Sequence, residues 1–212
     1  MIASVTDLDG RITGVHRTWL SPEGSGKAPI DTPRRAMGEL LGHAVRLCTA
    51  HDVMAAGDHD NNYYLWAAMG SAAMVGLGLA NAQPGRSVLV VTGDGELMMG
   101  MGALATIAVQ KPKNLTIAVL DNGHFGETGM QRSHAGLGVE ISAVAASLGF
   151  AWTATIADMA GVDDLHGRLE ARDGARLATI RIAAENPPRV LPPRDGVHVK
   201  NRFRAALGFE PI

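Results

Sequence analysis

The sequence predicts an α/β protein built as a three-layer, doubly wound parallel sheet with helices on both faces. Three observations predict it. Segments such as SVLVVT (87–92) and LTIAVLD (115–121) are almost uninterruptedly apolar, as expected of strands buried on both sides. They alternate with helical segments, the pattern of a parallel sheet covered by crossover helices. The helical segments are crowded with Ala and Gly, and the 212 residues contain 26 glycines but only 4% aromatics, which suits helices lying close on a sheet.

The elements follow in order. Residues 1–30 include SPEGSGKAP and read as an extended arm. Thr32-Pro33 sets an N-cap before a proline at the first helical position, predicting a helix to about Ala50. A short strand is expected over 52–56, then the polar loop 57–62 and a small-residue helix over 69–81. Strand 87–92, helix 97–110, strand 115–121, a glycine-rich loop, helix 140–148, strand 151–156, helix 162–172 and strand 177–183 complete the alternation. NPPRVLPP is an extended connector to a last amphipathic helix over 199–207, so the division is arm 1–30, main domain 31–184 and C-terminal connector and helix 185–212.

Composition excludes several function classes. A net charge of −2 gives no electrostatic footprint for nucleic acid or anionic lipid. The single cysteine, Cys48, allows no internal disulfide, cysteine-based zinc site or iron–sulfur cluster, and its apolar run makes it a small buried hydrophobe. The N-terminus lacks the apolar core of a signal peptide, and the apolar stretch 65–80 is broken by Gly70, Gly76 and Gly78. A cytoplasmic protein is expected.

The informative stretch is LVVTGDGELMMG (89–100), a strand running through Gly93-Asp94-Gly95 straight into a helix. Ligands of open α/β sheets sit at such strand ends, where helix N-termini offer free N–H groups. A dinucleotide fingerprint needs a glycine where Met98 stands, and no P-loop Gly-Lys-Ser/Thr follows. Asp94 would repel a phosphate unless a hard cation lay between them, and magnesium takes carboxylate, amide and phosphate oxygens together. The strand 115–121 delivers Asn122 as a second oxygen donor beside the same turn.

Gly93-Asp94-Gly95, then 25 residues, then Asp121-Asn122, resembles the cofactor motif of thiamine diphosphate (ThDP) enzymes, usually written GDG with a downstream NN. Asp121 stands where the first Asn is common. YYLWAAMGSAAMVGLGLANA, GALATIAVQKPKNLTIAVLDNG, GETGMQ and PPRDGVHVKNRFRAAL extend the likeness over about Asp31 to Leu207, where the chain is similar to the beta subunit of sulfopyruvate and phosphonopyruvate decarboxylases. The resemblance implies the ThDP-binding fold, with ThDP and Mg2+ as cofactors. Asp94, the Asn122 amide oxygen and the His124 carbonyl would hold the metal. Backbone N–H groups near Gly95 and Glu96 would hold the diphosphate, with Gly93, Phe125 and Gly126 beside them. Met69 would support the bend of the cofactor, Ala67 would accept from its aminopyrimidine, and Gly70 and Ser71 would complete that segment.

The resemblance further implies a 2-oxo acid decarboxylase that forms an aldehyde and CO2 through an enamine. The activating glutamate belongs to a pyrimidine-binding domain, expected on a separate alpha subunit in a heterotetramer or larger assembly; Glu127 and Glu140 lie in the wrong domain for it. His59, His124 and Glu127 are the candidate catalytic residues, with Asp58, Asp60, Gln131 and His134 as further candidates facing a small 2-oxo acid. His43, His166 and His198 read as structural or surface residues. Gly129-Met130-Gln131 replaces the Gly-Gly-Gln of relatives. Two alternatives stand: an acetolactate-synthase-like carboligase subunit, and a non-catalytic nucleotide-binding module that the failed Rossmann and P-loop patterns disfavour.

Overall fold

The structure is a computed structural model that describes the backbone at residues 2–6, 12–18, 34–37, 45–48, 50–66, 68–185 and 190–212, with side chains from residue 53 onward. The chain begins with β1 (Ile2–Thr6), β2 (Ile12–Thr18) and β3 (Arg34–Met37), an antiparallel sheet in that order. There follow β4 (Val45–Cys48), α1 (Ala50–Ala55), β5 (Asn62–Tyr64), α2 (Ala72–Ala82), β6 (Val88–Gly93), α3 (Asp94–Met99), α4 (Gly102–Gln110) and β7 (Leu115–Asp121). The short pair β8 (His124–Phe125) and β9 (Gln131–Arg132) precedes α5 (Ile141–Ser147), β10 (Trp152–Ile156), α6 (Met159–Arg168), β11 (Arg176–Arg181) and α7 (Gly196–Ala206).

The main sheet is parallel throughout, in the order β10-β11-β7-β6-β4-β5. From β4 the chain steps outward to β5 and then back across to β6, so the winding reverses between β4 and β6. Alternate residues of each central strand serve opposite faces. Val88, Val90, Ile117, Val119 and Leu177 join α2, α4 and α5 in one core, and Leu89, Ala118, Leu120, Ala178 and Ile180 join α6 in the other. The doubly covered parallel sheet expected from the sequence is therefore present. No described helix is long and apolar enough to cross a membrane.

The N-terminal part differs from expectation. Where a helix was expected over 33–50, the described backbone is strand at 34–37 and 45–48, and the expected strand 52–56 lies mostly in α1. Short apolar runs fit both periods, and here pairing decides: β4 fills the place between β5 and β6. Within the expected arm, Ile2–Thr6 and Ile12–Thr18 pair as strands. The expected helix 97–110 is two helices: α3 starts at the strand end itself, and the chain breaks at Gly100, where its backbone packs on that of Gly70. The side chain of Cys48, and Ala67 and His43 altogether, lie outside the described residues.

α7 closes the border of the sheet. Asp195 caps it, accepting from the N–H groups of Val197 (2.9 Å) and His198 (3.1 Å). Phe203 meets the Tyr63 ring edge-on at 5.3 Å between centroids. Arg202 reaches Asp58 Oδ2 at 2.5 Å and donates to the Asn62 carbonyl at 3.1 Å, while the Tyr64 hydroxyl donates to Asp58 Oδ1 at 2.7 Å. Burial alone would raise the Asp58 carboxyl, but the bonds from Arg202 and Tyr64 outweigh it and hold it below its ordinary value. A depressed carboxylate contributes stability above its unfolded value and loses it as pH falls through the folded one. Thermal melts should therefore show wild type losing stability below about pH 4 more steeply than Asp58→Asn. Parallel pH profiles would remove this role from Asp58.

Candidate functional site

Pairing of β6 with β7 sets Gly93 opposite Leu120, so Asp94 and Asp121 leave the sheet side by side at its carboxyl edge. This edge lies beside the reversal between β4 and β6, the place where open α/β sheets bind ligands. Asp94 is only 2% exposed, and no lysine or arginine pairs with it among the described residues. Burial pushes its carboxyl above the ordinary value, the Asp121 charge adds to this, and the hydrogen bond from the Ser133 hydroxyl opposes it.

Two consecutive side chains shape the turn after β7. Asp121 Oδ1 accepts the Gly123 N–H and Asn122 Oδ1 accepts the His124 N–H, both at 2.9 Å. The Asn122 amide oxygen keeps a second lone pair. His124 Nδ1 lies 2.8 Å from the Asn122 carbonyl, so the neutral ring carries its proton on Nδ1 and its lone pair on Nε2.

The loop then folds back. β8 pairs with β9 in register His124–Arg132 and Phe125–Gln131. Phe125 lies over the turn after β6: a Cβ on Gly95 would come 2.6 Å from its ring. His134 meets Phe125 edge-on at 6.2 Å. Gln131 Nε2 donates to the Thr128 carbonyl (2.8 Å), so this side chain organises its own turn. Met130 stands at φ +60°, a left-handed conformation that glycine adopts more readily. Ser133, fully buried, donates to Asp94 through its hydroxyl and to the Gly123 carbonyl through its N–H (2.9 Å).

The donor set fits a hard cation better than a soft one. It offers one buried carboxylate that no described lysine or arginine pairs, one amide oxygen and backbone carbonyls, the chemistry magnesium prefers. Among the described residues no group of three His, Cys, Asp or Glu lies close enough together to hold a metal ion. An added Cβ at Gly93 would meet nothing within 4 Å, so the backbone there stands open to an approaching ligand.

The structure gathers Gly93, Asp94, Gly95, Glu96, Asn122, His124, Phe125 and Gly126 at this edge, and the turn bearing Met69, Gly70 and Ser71 joins them through a backbone contact between Gly70 and Gly100. Met69 is 55% exposed and is no part of the core. Glu127 stands exposed in the 126–128 turn.

His59 is a correction. It precedes β5, and Asn62 is level with Leu89 through Arg46, so Asp94 lies about 16 Å farther along the strand direction at 3.3 Å per residue. His59 belongs to the amino edge, with Asp58 and Asp60, and not to the Asp94 edge. The sequence reading took this loop as following a strand, whereas it follows α1. Asp58 is held by Tyr64 and Arg202, and Asp60 lies 3.8 Å from Arg202. Sequence reasoning passed over Ser133, a small polar residue in a glycine-rich loop, because nothing local marks its partner 39 residues earlier.

A family model described as "Thiamine pyrophosphate enzyme, C-terminal TPP binding domain" matches residues 43–190, and one described as "Domain of unknown function (DUF7146)" matches residues 1–47. A phosphonopyruvate decarboxylase from Streptomyces hygroscopicus is 39% identical over 207 residues, covering 92% of this chain and 49% of that protein. A sulfopyruvate decarboxylase subunit beta from Methanothermobacter thermautotrophicus is 43% identical over 93 residues, covering 44% of this chain and 49% of that one. The chain thus spans about half the length of the Streptomyces relative. Among solved structures, benzoylformate decarboxylase from Polynucleobacter necessarius shares the fold, with a TM-score of 0.52 at 17% identity over 68% of this chain and 31% of that one. The chain belongs to the family of thiamine pyrophosphate enzymes, through their C-terminal TPP-binding domain.

Proposed function

We propose that the chain is the diphosphate-binding half of a ThDP- and Mg2+-dependent 2-oxo acid decarboxylase, of the kind that acts on phosphonopyruvate or sulfopyruvate. The observation that carries this reading is Asp94, a buried carboxylate without a cationic partner among the described residues, set beside Asn122 at the carboxyl edge of a family member's sheet. Asp94, the Asn122 amide oxygen and the His124 carbonyl would hold Mg2+, and the Gly93–Glu96 backbone would take the diphosphate. Bound ThDP supplies the nucleophilic carbon and the electron sink that let a 2-oxo acid lose CO2.

The chain's own residues bind, orient and move protons. Ser133 fixes the Asp94 carboxylate and closes the 123–136 loop over it. Phe125 shields the turn from water by lying on Gly95. Met69, projecting beside the turn, would support the bent cofactor, with Ala67, Gly70 and Ser71 along it. His124 presents Nε2 as a proton acceptor, or as a donor once the ring is charged, and Glu127 is the second acid–base candidate in the same loop. The name of the Methanothermobacter relative, a subunit beta, supports a partner alpha subunit carrying the pyrimidine-binding domain.

Calorimetry of ThDP into the full chain, with Mg2+ or with chelator, tests the cofactor reading. CO2 release from 2-oxo acids bearing a second acidic group, with and without a candidate alpha chain, tests the reaction. Turnover is expected only from the pair, and a pair that releases no CO2 while forming acyloins would favour the carboligase alternative.

Gly93→Ala separates fold from site. The added methyl enters open space, so the melting temperature should stay within about 2–4 °C, the shift of roughly 1 kcal/mol in a chain of this size. ThDP affinity should fall by roughly tenfold, because the methyl occupies the approach to the turn. Unchanged affinity would move the diphosphate away from Gly93.

A further inference from the structure

The N-terminus of α2 has no cap of its own. Ser71, just before it, donates its hydroxyl to the Ala68 carbonyl (2.6 Å), and no acidic residue occupies the first turn. The N–H groups of Gly70 and Ala72, on either side of Ser71, are taken by Glu96, which belongs to α3. One carboxylate oxygen accepts from Gly70 (2.8 Å) and Ala72 (3.1 Å), and the other accepts the Thr92 hydroxyl. A second tie joins the same two elements through backbone alone: a Cβ on Gly70 would lie 2.9 Å from the Gly100 nitrogen.

We propose that Glu96 is a positioning residue that sets the spacing between the two ends of the cofactor site, the 93–95 turn and the Met69–Ser71 turn. This rests on the function proposed above. A carboxylate directly after a diphosphate turn would repel the ligand if it faced it. Here its charge faces the positive end of α2, where a negative group is favourable. The residue thereby converts an adverse charge into the link between the elements that would hold the diphosphate and the rings.

Amide exchange in the chain without cofactor tests the link directly. Glu96→Ala should speed exchange at Gly70 and Ala72 by roughly tenfold or more, since these N–H groups lose their acceptor. Glu96→Gln should retain protection, because its oxygen serves both amides and its NH2 turns to the Thr92 oxygen. Binding tests the spacing: Glu96→Ala should weaken ThDP by roughly tenfold while Mg2+-pyrophosphate, which needs the metal site and the 93–96 backbone but not the Met69–Ser71 turn, binds as in wild type. Glu96→Gln should recover ThDP. Unchanged protection of Gly70 and Ala72 in Glu96→Ala overturns the link, and equal loss of ThDP and pyrophosphate overturns the spacing role. A wild-type chain that binds neither ligand overturns the proposed function, while the exchange comparison still decides whether Glu96 holds the turn.

Discussion

Asp94→Ala is expected to leave a folded chain whose affinity for ThDP has fallen by roughly 100-fold, about 2.7 kcal/mol, and no longer responds to Mg2+. The effect is large because the carboxylate sits where burial disfavours its charge and where no cation among the described residues answers it. A bound divalent cation would reverse that balance, so the site gains most from the ligand it would lose. Removing the carboxylate also takes the acceptor from the buried Ser133 hydroxyl, at about 1–3 kcal/mol for an unsatisfied donor. Asp94→Asn is the gentler companion: it keeps an oxygen for Ser133 and should lose Mg2+ dependence with a melting temperature near wild type. Titrations of ThDP with and without chelator measure both. A variant that kept Mg2+-dependent binding would remove Asp94 from the metal site.

Gly100→Ala should be severely damaging for a single added methyl. The new Cβ would lie 1.8 Å from the Gly70 carbonyl oxygen and 2.6 Å from its carbon, both backbone atoms that cannot swing aside. Overpacking of this kind costs about 3 kcal/mol at the upper end of its usual range, which corresponds to a fall of roughly 6–12 °C in melting temperature for a chain of this length. The Met69–Ser71 turn would move with Gly70, so ThDP binding should fall as well. Gly102→Ala, two residues on, meets nothing within 4 Å and replaces a helical glycine. It should be neutral or stabilising by about 0.5–1 kcal/mol. Equal melting temperatures for the two variants would mean that the α3–α4 break tolerates separation from Gly70.

The central strands were legible because burial on both faces writes continuous apolar runs, as in 87–92 and 115–121. The Asp94–Asn122 pairing was legible because two adjacent parallel strands of known length must end level. Residues 33–50 were not, since a four-residue strand such as Val45–Cys48 carries too few positions to separate period 2 from period 3.6. His59 was misplaced by the same error, because reading α1 as a strand sends the following loop to the wrong edge. Glu96 and Ser133 act on partners 24 to 39 residues away, which only the closed fold brings within reach.

The guanidinium of Arg202 has a consequence for assembly. β5 is a border strand, and borders of parallel sheets invite pairing with another chain. Here α7 lies along that border, and Arg202 occupies the Asn62 carbonyl that an incoming strand would seek. That carbonyl is therefore already taken where a strand added on the β5 side would need it. Another polypeptide approaching from there meets a helix whose Arg202 is already committed to Asp58 and to the Asn62 carbonyl.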